Sequence, residues 1–352
     1  MRGEDEPVVF MVPGDLHLTE AGPDNHRAAL WAVGEANGLI RPDFVQFIGD
    51  NAQDATAEQF RLFRDLTDRL TAPWHALVGD HDVHGDPEAG RFREFVGEPT
   101  GGMSLRRFRF VRLNTQEAKP LGLSAGQAAW FRDEVDSALA AGERVVVFQH
   151  NYPYQIWETF DGPGIDAWRG VVQTRRVAAI IAGHTHYLQA ANDGRNVSVA
   201  VRSVGDPEGG APGYLLAFLH GEDLAFAYRT AGDEGPAVLV TRPREKLLAT
   251  GPPHVVSGPT QARVRVWSDG PPALVEGRLD GGPWLDLGPI GPQDWAFDLP
   301  ADLEKGDHRF EARAVDGSGR VGTNAVTFAA DPTGRFTAVP AAWPQVDGTR
   351  FC

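Results

Sequence analysis

The chain has 352 residues, which predicts two domains, and 42% of them are hydrophobic, which is enough for a substantial core. Its formal charge of −15 argues against a nonspecific nucleic-acid binder. The charge does not argue against an enzyme for phosphate esters, because bound metal ions reverse the field locally. The single cysteine, Cys352, allows neither an intrachain disulfide framework nor a cysteine-rich metal site. No apolar stretch approaches the length of a membrane span, and the acidic N-terminus is unlike a secretory signal, so we expect no membrane partner and a cytoplasmic location.

The first two thirds of the chain alternate short apolar runs with helical patterns, which predicts an α/β domain over residues 1–232. Strands are predicted at 7–12, 43–48, 74–78, 144–149 and 177–182, and helices at 26–37, 56–70 and 124–142. Ser124 is a suitable N-cap for the last of these helices, and Gly142 suits the position just past its end.

A different pattern begins at residue 254. Five short alternating segments are separated by turn signals such as Asp269-Gly270, and no helix-length periodic segment follows. This predicts an all-β, immunoglobulin-like sandwich over 254–331, joined through a linker at 233–253 and followed by a tail at 332–352. The sandwich shows no exposed site chemistry, so we expect a structural or interaction role, with a homodimer through this domain as one option.

Polar residues follow five predicted strands at the points where these strands end. They are Asp15 with His17, then Asp50, the run Asp80-His81-Asp82, His150, and the pair His184 and His186. Ligand sites of open α/β sheets lie beyond the carboxyl ends of the strands, so we expect the five groups to converge. Crowded carboxylates and imidazoles are electrostatically costly unless a positive charge lies among them.

That positive charge is best explained by metal ions. Taken singly, each group is more often a solvated loop or a hydrogen-bonded histidine, but their joint placement at five strand ends favours a metal site. Carboxylate and imidazole ligands without thiolate suit Mn, Fe or Zn. With this many ligands, two ions that share a bridging carboxylate fit better than one.

The order of these motifs resembles that of the calcineurin-like metallophosphoesterases. The motifs read Asp15-x-His17, Gly49-Asp50, Gly79-Asp80-His81-Asp82, His150 and Gly183-His184-x-His186. The chain looks most like the branch that contains the class III cyclic-nucleotide phosphodiesterases. The resemblance implies a four-layer α/β/β/α sandwich, with two mixed sheets between outer helices.

The resemblance also implies a role for each residue. Seven side chains would bind two divalent or trivalent ions: Asp15, His17 and His186 the first, Asp80, His150 and His184 the second, with Asp50 bridging both. His81 would face the substrate phosphate and the leaving oxygen instead of a metal, and Asp82 would orient and charge its ring. As a hypothesis, two such ions would lower the pKa of a bridging water, and the resulting hydroxide would attack phosphorus.

Asp80 departs from the pattern, because the family usually has Asn at this position. Both residues offer a side-chain oxygen, so metal coordination is expected to survive. The extra negative charge should tighten the second ion, lower its Lewis acidity and repel an anionic substrate.

The leading interpretation is a phosphodiesterase acting on small phosphate esters, cyclic nucleotides among them. A phosphomonoesterase is the first alternative, and a non-catalytic scaffold with a vestigial metal site is the second. The intact pair of His81 and Asp82 argues against the scaffold.

Three further features leave alternatives open. Four arginines in 104–115 could grip phosphate or line an exposed strand face, and the strand face is favoured. The aromatic residues Tyr152, Trp157 and Trp168 could line a substrate pocket or pack in the core. Asn51, directly after Asp50, is a candidate partner of the metal ligands.

Overall fold

The computed structural model describes residues 6–118, 121–154 and 162–344, so Trp157 and Cys352 lie outside the described residues. Five α-helices occur in this part of the chain: α1 (Asp24–Glu35), α2 (Ala57–Thr67), α3 (Gly90–Phe95), α4 (Ala125–Ala140) and α5 (Ile165–Thr174). None of the described helices is both long and apolar enough to cross a membrane. The prediction for Ser124 is confirmed, because its Oγ accepts a hydrogen bond from Gln127 N at 3.1 Å.

Eleven strands lie in the region predicted to be the α/β domain. In chain order they are β1 (Val8–Pro13), β2 (Phe44–Phe47), β3 (Trp74–Ala76), β4 (Gly101–Leu105), β5 (Phe108–Leu113), β6 (Arg144–Gln149), β7 (Ala179–Ala182), β8 (Gln189–Asn192), β9 (Val197–Ala200), β10 (Gly213–His220) and β11 (Asp223–Thr230). All five strands predicted there are present, as β1, β2, β3, β6 and β7.

Nine strands follow in the rest of the described chain. They are β12 (Ala237–Arg242), β13 (Gln261–Trp267), β14 (Leu274–Leu279), β15 (Leu285–Asp286), β16 (Gly288–Pro289), β17 (Asp294–Asp298), β18 (Gly306–Val315), β19 (Val321–Ala330) and β20 (Ala341–Trp343).

Two mixed sheets form the centre of the α/β domain. One has the order β11-β10-β1-β2-β3, in which β1, β2 and β3 are parallel. The other has the order β20-β8-β9-β7-β6-β5-β4, in which β9, β7, β6 and β5 are parallel. The carboxyl ends of parallel neighbours lie at the same edge of a sheet, so the segments after β1, β2 and β3 meet on one sheet and those after β6 and β7 on the other.

Side chains of β1 alternate between two apolar layers, as the period of a strand requires. Phe10 lies between the sheets, where its ring stacks on Phe44 at 4.9 Å and meets Phe110 of the other sheet edge-on at 5.7 Å. Met11 belongs to the opposite layer, under α1 and α2, while α4 and α5 cover the outer face of the second sheet. The resulting order of helix, sheet, sheet and helix is the four-layer arrangement expected from the sequence.

The C-terminal part is all-β, as predicted. Its two four-stranded antiparallel sheets, β12-β13-β17-β16 and β15-β14-β18-β19, enclose a shared core that includes Val264 and Phe310. Its immunoglobulin likeness and the domain boundaries stay predictions. Within the predicted linker, β12 pairs with β13, and within the predicted tail, β20 pairs with β8 of the first domain. Both pairings join distant segments, which local sequence patterns do not reveal.

Two arginines of the segment 104–115, Arg106 and Arg109, form ion pairs with carboxylates. Arg106 forms a two-pronged ion pair with Asp43, at 2.8 and 2.9 Å, and only 6% of its side chain is exposed. Arg109 pairs with Glu134 at 2.5 Å. The interpretation as an exposed strand face is therefore wrong for Arg106, because a buried carboxylate compensates its charge.

Candidate metal centre

The five polar groups predicted from the strand ends lie together in the structure. One set of side chains, Asp50, Asp80, His150 and His184, brings its ligand atoms within 4.8 Å of one another. In this set His150 Nε2 lies 3.1 Å from Asp80 Oδ1 and 3.4 Å from Asp50 Oδ2, and His184 Nδ1 lies 3.0 Å from Asp80 Oδ1. These are the four residues that the sequence analysis assigns to the second ion and the bridge.

A second set lies beside the first. Asp15, Asp50 and His186 have ligand atoms within 4.8 Å of one another, and so do His17, Asp50 and His81. The Nε2 atoms of His17 and His186 face each other at 3.1 Å. All seven predicted ligands are thus gathered, and Asp50 belongs to each of the three groups.

The backbone at this centre is held in unusual conformations. Four of the predicted ligands have left-handed φ angles, namely His17 at 46°, Asp50 at 49°, His184 at 70° and His186 at 58°. Such conformations of residues other than glycine cost free energy and persist where the surrounding structure imposes them, which is common at functional sites. These four conformations therefore lower the stability of the folded protein, and they direct the four side chains toward one site.

Glycines make room for the ligands. A Cβ on Gly79 would lie 2.0 Å from Asp50 Oδ1, and one on Gly49 would lie 2.2 Å from His150 Nδ1. Gly49 also has a φ of 106°, which disfavours any side chain. The Gly-Asp motifs in the sequence are explained by these close approaches.

The buried cluster carries several carboxylates, and their negative charge needs compensation by positive charge. Burial raises the pKa of Asp80, but hydrogen bonds to His150 and His184 outweigh it and hold the pKa of that carboxyl well below its usual range. Burial lowers the pKa of His150, but the Asp50 charge and hydrogen bonds to Asp50 and Asp80 raise it well above the usual value. The carboxylates thus favour positive charge on their neighbours, which is the charge that a bound cation would supply.

The donor set fits metal ions. Asp15 is fully buried, and its Oδ2 has no hydrogen-bond partner among the described residues, as is also true of the buried Nδ1 of His17. A buried carboxylate oxygen without a partner is costly unless an ion or water satisfies it. Carboxylate oxygens and imidazole nitrogens are suitable ligands for Mn, Fe or Zn.

His81 lies at the edge of this centre, with its ring 4.6 Å from the His17 ring. The Nδ1 of His81 is 2.8 Å from Gln53 O, and because a carbonyl only accepts, Nδ1 carries the proton. Burial lowers the pKa of His81, but the Asp50 charge, the Gln53 carbonyl and the Asp80 charge raise it above the usual value.

The predicted contact of Asp82 with the His81 ring is wrong. Asp82 is fully buried, and its oxygens accept hydrogen bonds from the backbone N–H groups of Gly79, Asn51 and Ala52 and from Asn51 Nδ2, at 2.9 to 3.2 Å. Its carboxylate therefore ties the segment after β3 to the segment after β2, while the Gln53 carbonyl orients His81. Burial and the Asp50 charge raise the pKa of Asp82 to about 7.

Asn51 also connects the segment after β2 to the segment after β3. Besides its bonds to Asp82, its Nδ2 donates to Leu77 O at 2.8 Å. Gln53, by contrast, was not identified from the sequence, because a backbone carbonyl leaves no signal in residue type.

For the described aromatic residues between two of the motifs, the structure supports core packing over a substrate pocket. Tyr152 and Trp168 are buried, and their polar atoms bond Gln189 Oε1 and Gln149 Oε1. Both rings therefore pack in the core, and Trp157 lies outside the described residues.

We predict that Gly49→Ala disrupts the metal centre. The added Cβ would collide with the His150 ring, so the purified variant should hold fewer metal ions than the roughly two equivalents expected of a binuclear centre. Metal content measured by inductively coupled plasma mass spectrometry checks this. Gly221→Ala is the matched control, because Gly221 also has a positive φ, 55°, but open space around its Cβ position. Equal metal content in both variants would contradict the role of Gly49.

Comparisons with known proteins agree with this geometry. Calcineurin-like phosphoesterases match residues 8–188, about half of the chain. A probable glycerophosphodiester phosphodiesterase of Arcobacter nitrofigilis is 24% identical over 199 residues, covering 51% of this chain and 72% of that protein. Tartrate-resistant acid phosphatase type 5 of Sus scrofa is 23% identical over 216 residues, covering 50% and 62%. A probable cyclic nucleotide phosphodiesterase of Synechococcus is 25% identical over 171 residues, covering 45% and 62%.

Solved structures share the fold. A dimetal phosphatase from Danio rerio superposes with a TM-score of 0.51 at 14% identity, over 63% of this chain and 96% of that one. Purple acid phosphatase from yellow lupin gives 0.51 at 13% identity, over 65% and 52%. At these identities the likeness concerns the fold alone. Taken with the match over residues 8–188, it shows that the chain belongs to the calcineurin-like phosphoesterase family.

Proposed function

We propose that this protein is a binuclear metal-dependent phosphoesterase that hydrolyses phosphodiesters. The observation that carries the proposal is the position of Asp50, which belongs to all three groups of potential ligands. A carboxylate between two ligand sets is the arrangement that a bridged pair of ions requires. Asp15, His17 and His186 would hold one ion, and Asp80, His150 and His184 the other.

When bound, two such ions supply Lewis acidity toward the phosphoryl oxygens and acidify a water molecule. The protein itself contributes the carboxylates and imidazoles that place the ions, and His81 contributes a proton. With Nδ1 bonded to Gln53, the Nε2 of His81 is left to act on the substrate, and the raised pKa of His81 favours the protonated form of the ring. This Nε2–H would donate to the leaving oxygen.

The charge of the site supports diesters over monoesters. Asp80 adds a carboxylate where the family usually has an amide, and 37% of its side chain is exposed. A phosphodiester carries one negative charge and a phosphomonoester up to two near neutral pH, so repulsion by Asp80 is stronger for the monoester. Two of the relatives are named phosphodiesterases, while the relative from Sus scrofa is named a phosphatase.

The test of the proposal compares bis-p-nitrophenyl phosphate with p-nitrophenyl phosphate in the presence of Mn²⁺. We expect faster turnover of the diester, loss of turnover after chelation, and recovery when Mn²⁺ is returned. Faster turnover of the monoester would instead support a phosphatase. No turnover of either ester by metal-loaded protein would support the non-catalytic alternative.

His81→Ala should keep the bound metal and lose about 10²–10⁴-fold in kcat, the usual contribution of a general acid. His84→Ala is the control, because His84 is an exposed histidine on the same segment to which we assign no role. Parallel measurements of kcat and metal content decide the matter. Loss of metal together with rate would mean that His81 is a ligand.

Asp80→Asn should retain metal, because the amide keeps an oxygen that can face His150 and His184. Removing the charge should also raise the ratio of monoester to diester turnover, since repulsion of the dianion falls most. Glu88→Gln removes the same charge from an exposed position later in the same segment of the chain and should leave the ratio unchanged. Abolished metal binding in Asp80→Asn would contradict the view that Asp80 tunes the site.

A further inference from the structure

The segment that follows β9 carries a carboxylate that the sequence motifs do not include. Asp206 Oδ2 lies 3.6 Å from Nδ1 of His186, while the other ring nitrogen of His186, Nε2, faces His17 inside the metal centre. Asp206 therefore lies on the outer side of the ring. No family motif identified in the sequence reaches this residue.

His186 is the predicted imidazole ligand that packing holds least. Its side chain is 20% exposed, compared with 0% for His150, 7% for His17 and 8% for His184. The Nδ1 of His150 also has a close backbone partner, Ile48 O at 2.9 Å. An exposed imidazole with a left-handed backbone needs another contact to keep one orientation.

The segment bearing Asp206 is tied directly to two predicted ligands. Ser203 Oγ donates to Asp15 O at 2.8 Å and accepts from Asp206 N at 2.8 Å. The backbone N–H groups of Ser203 and Glu208 both donate to His186 O, at 3.3 and 3.0 Å. The backbone of Asp206 is thus fixed relative to the backbone of His186, while its carboxylate is 80% exposed beside the ring.

Close packing and a guanidinium hold the rest of the segment. A Cβ on Gly205 would lie 2.5 Å from Leu16 O, so the segment rests against the Asp15-x-His17 motif. Arg202 donates to the carbonyls of Glu208, Gly209 and Ala211 at 3.0 to 3.2 Å, and its guanidinium lies 4.8 Å from the centre of the Tyr228 ring. These contacts restrict the segment although its surface is exposed.

We infer that Asp206 is a positioning residue for the metal centre, resting on the proposed function. Its carboxylate, at ion-pair distance from Nδ1 of His186, favours the tautomer that carries the proton on Nδ1, which turns the Nε2 lone pair inward and makes that nitrogen a better donor. Histidines that bind metals usually have such an outer partner, and its removal typically weakens metal affinity 10–100-fold. The effect belongs to one of the two ions, the one that Asp15, His17 and His186 would hold.

The test measures the binding of Zn²⁺ alone, by competition with a chromophoric chelator, for the wild type and for Asp206→Asn. The expected result is one dissociation constant weakened about 10–100-fold and the other unchanged. Asp206→Glu restores the carboxylate and should recover part of the affinity. Glu208→Gln removes the same charge from the same segment, so it is the matched control and should bind both ions as the wild type does.

Each outcome bears on the inference. Two unchanged dissociation constants in Asp206→Asn would overturn it while leaving the proposed function intact. Equal weakening of both ions with a lower thermal midpoint, and no rescue by Asp206→Glu, would also overturn it, because that is general loosening of the fold. A wild-type protein that binds no Zn²⁺ would contradict both the proposed function and this inference.

Discussion

Repulsion among buried carboxylates is the constraint on which the rest of the structure depends. Asp15 and Asp50 are almost fully buried, and Asp80 lies beside them, with all three carboxylates within 3.6 Å of a ring nitrogen of His150. Carboxylates gathered in a region of low dielectric are strongly unfavourable unless positive charge compensates them. A proton on His150 would supply part of this charge, because the Asp50 charge and the hydrogen bonds to Asp50 and Asp80 raise its pKa. Metal ions would supply it more completely, and the remaining features of the site serve to keep these groups together.

The fold meets that constraint by packing two sheets face to face, so that strands of both end beside the same site. The parallel strands β1, β2 and β3 deliver three motifs from one sheet, and β6 and β7 deliver two from the other. The phenylalanine cluster around Phe10 locks the sheets face to face. Asp82 then connects the segments after β2 and β3 through backbone N–H groups, so a carboxylate expected to act in catalysis has a structural task.

Much of this arrangement could be predicted from the sequence, because the signals are local. Apolar runs ended by Gly-Asp or Gly-His located β1, β2, β3 and β7, and the order of the motifs identified the seven candidate ligands. The Gln53 carbonyl and Asp206 were not predicted, since their roles depend on distances between segments far apart in the chain. The same reason explains β20, which joins the seven-stranded sheet from a segment that looked like a tail. Arg106 lacked a signal too, because its partner, Asp43, lies 63 residues earlier.

The central claim is that this cluster of side chains exists to hold two cations on either side of Asp50. Crystals of protein purified without chelator, measured by anomalous diffraction at the absorption edges of Mn, Fe and Zn, test it most directly. The account predicts two anomalous peaks roughly 3.5–4 Å apart, with Asp50 between them. Crystals of such protein with no peak among these residues, or with a single ion that Asp50 does not touch, would contradict it.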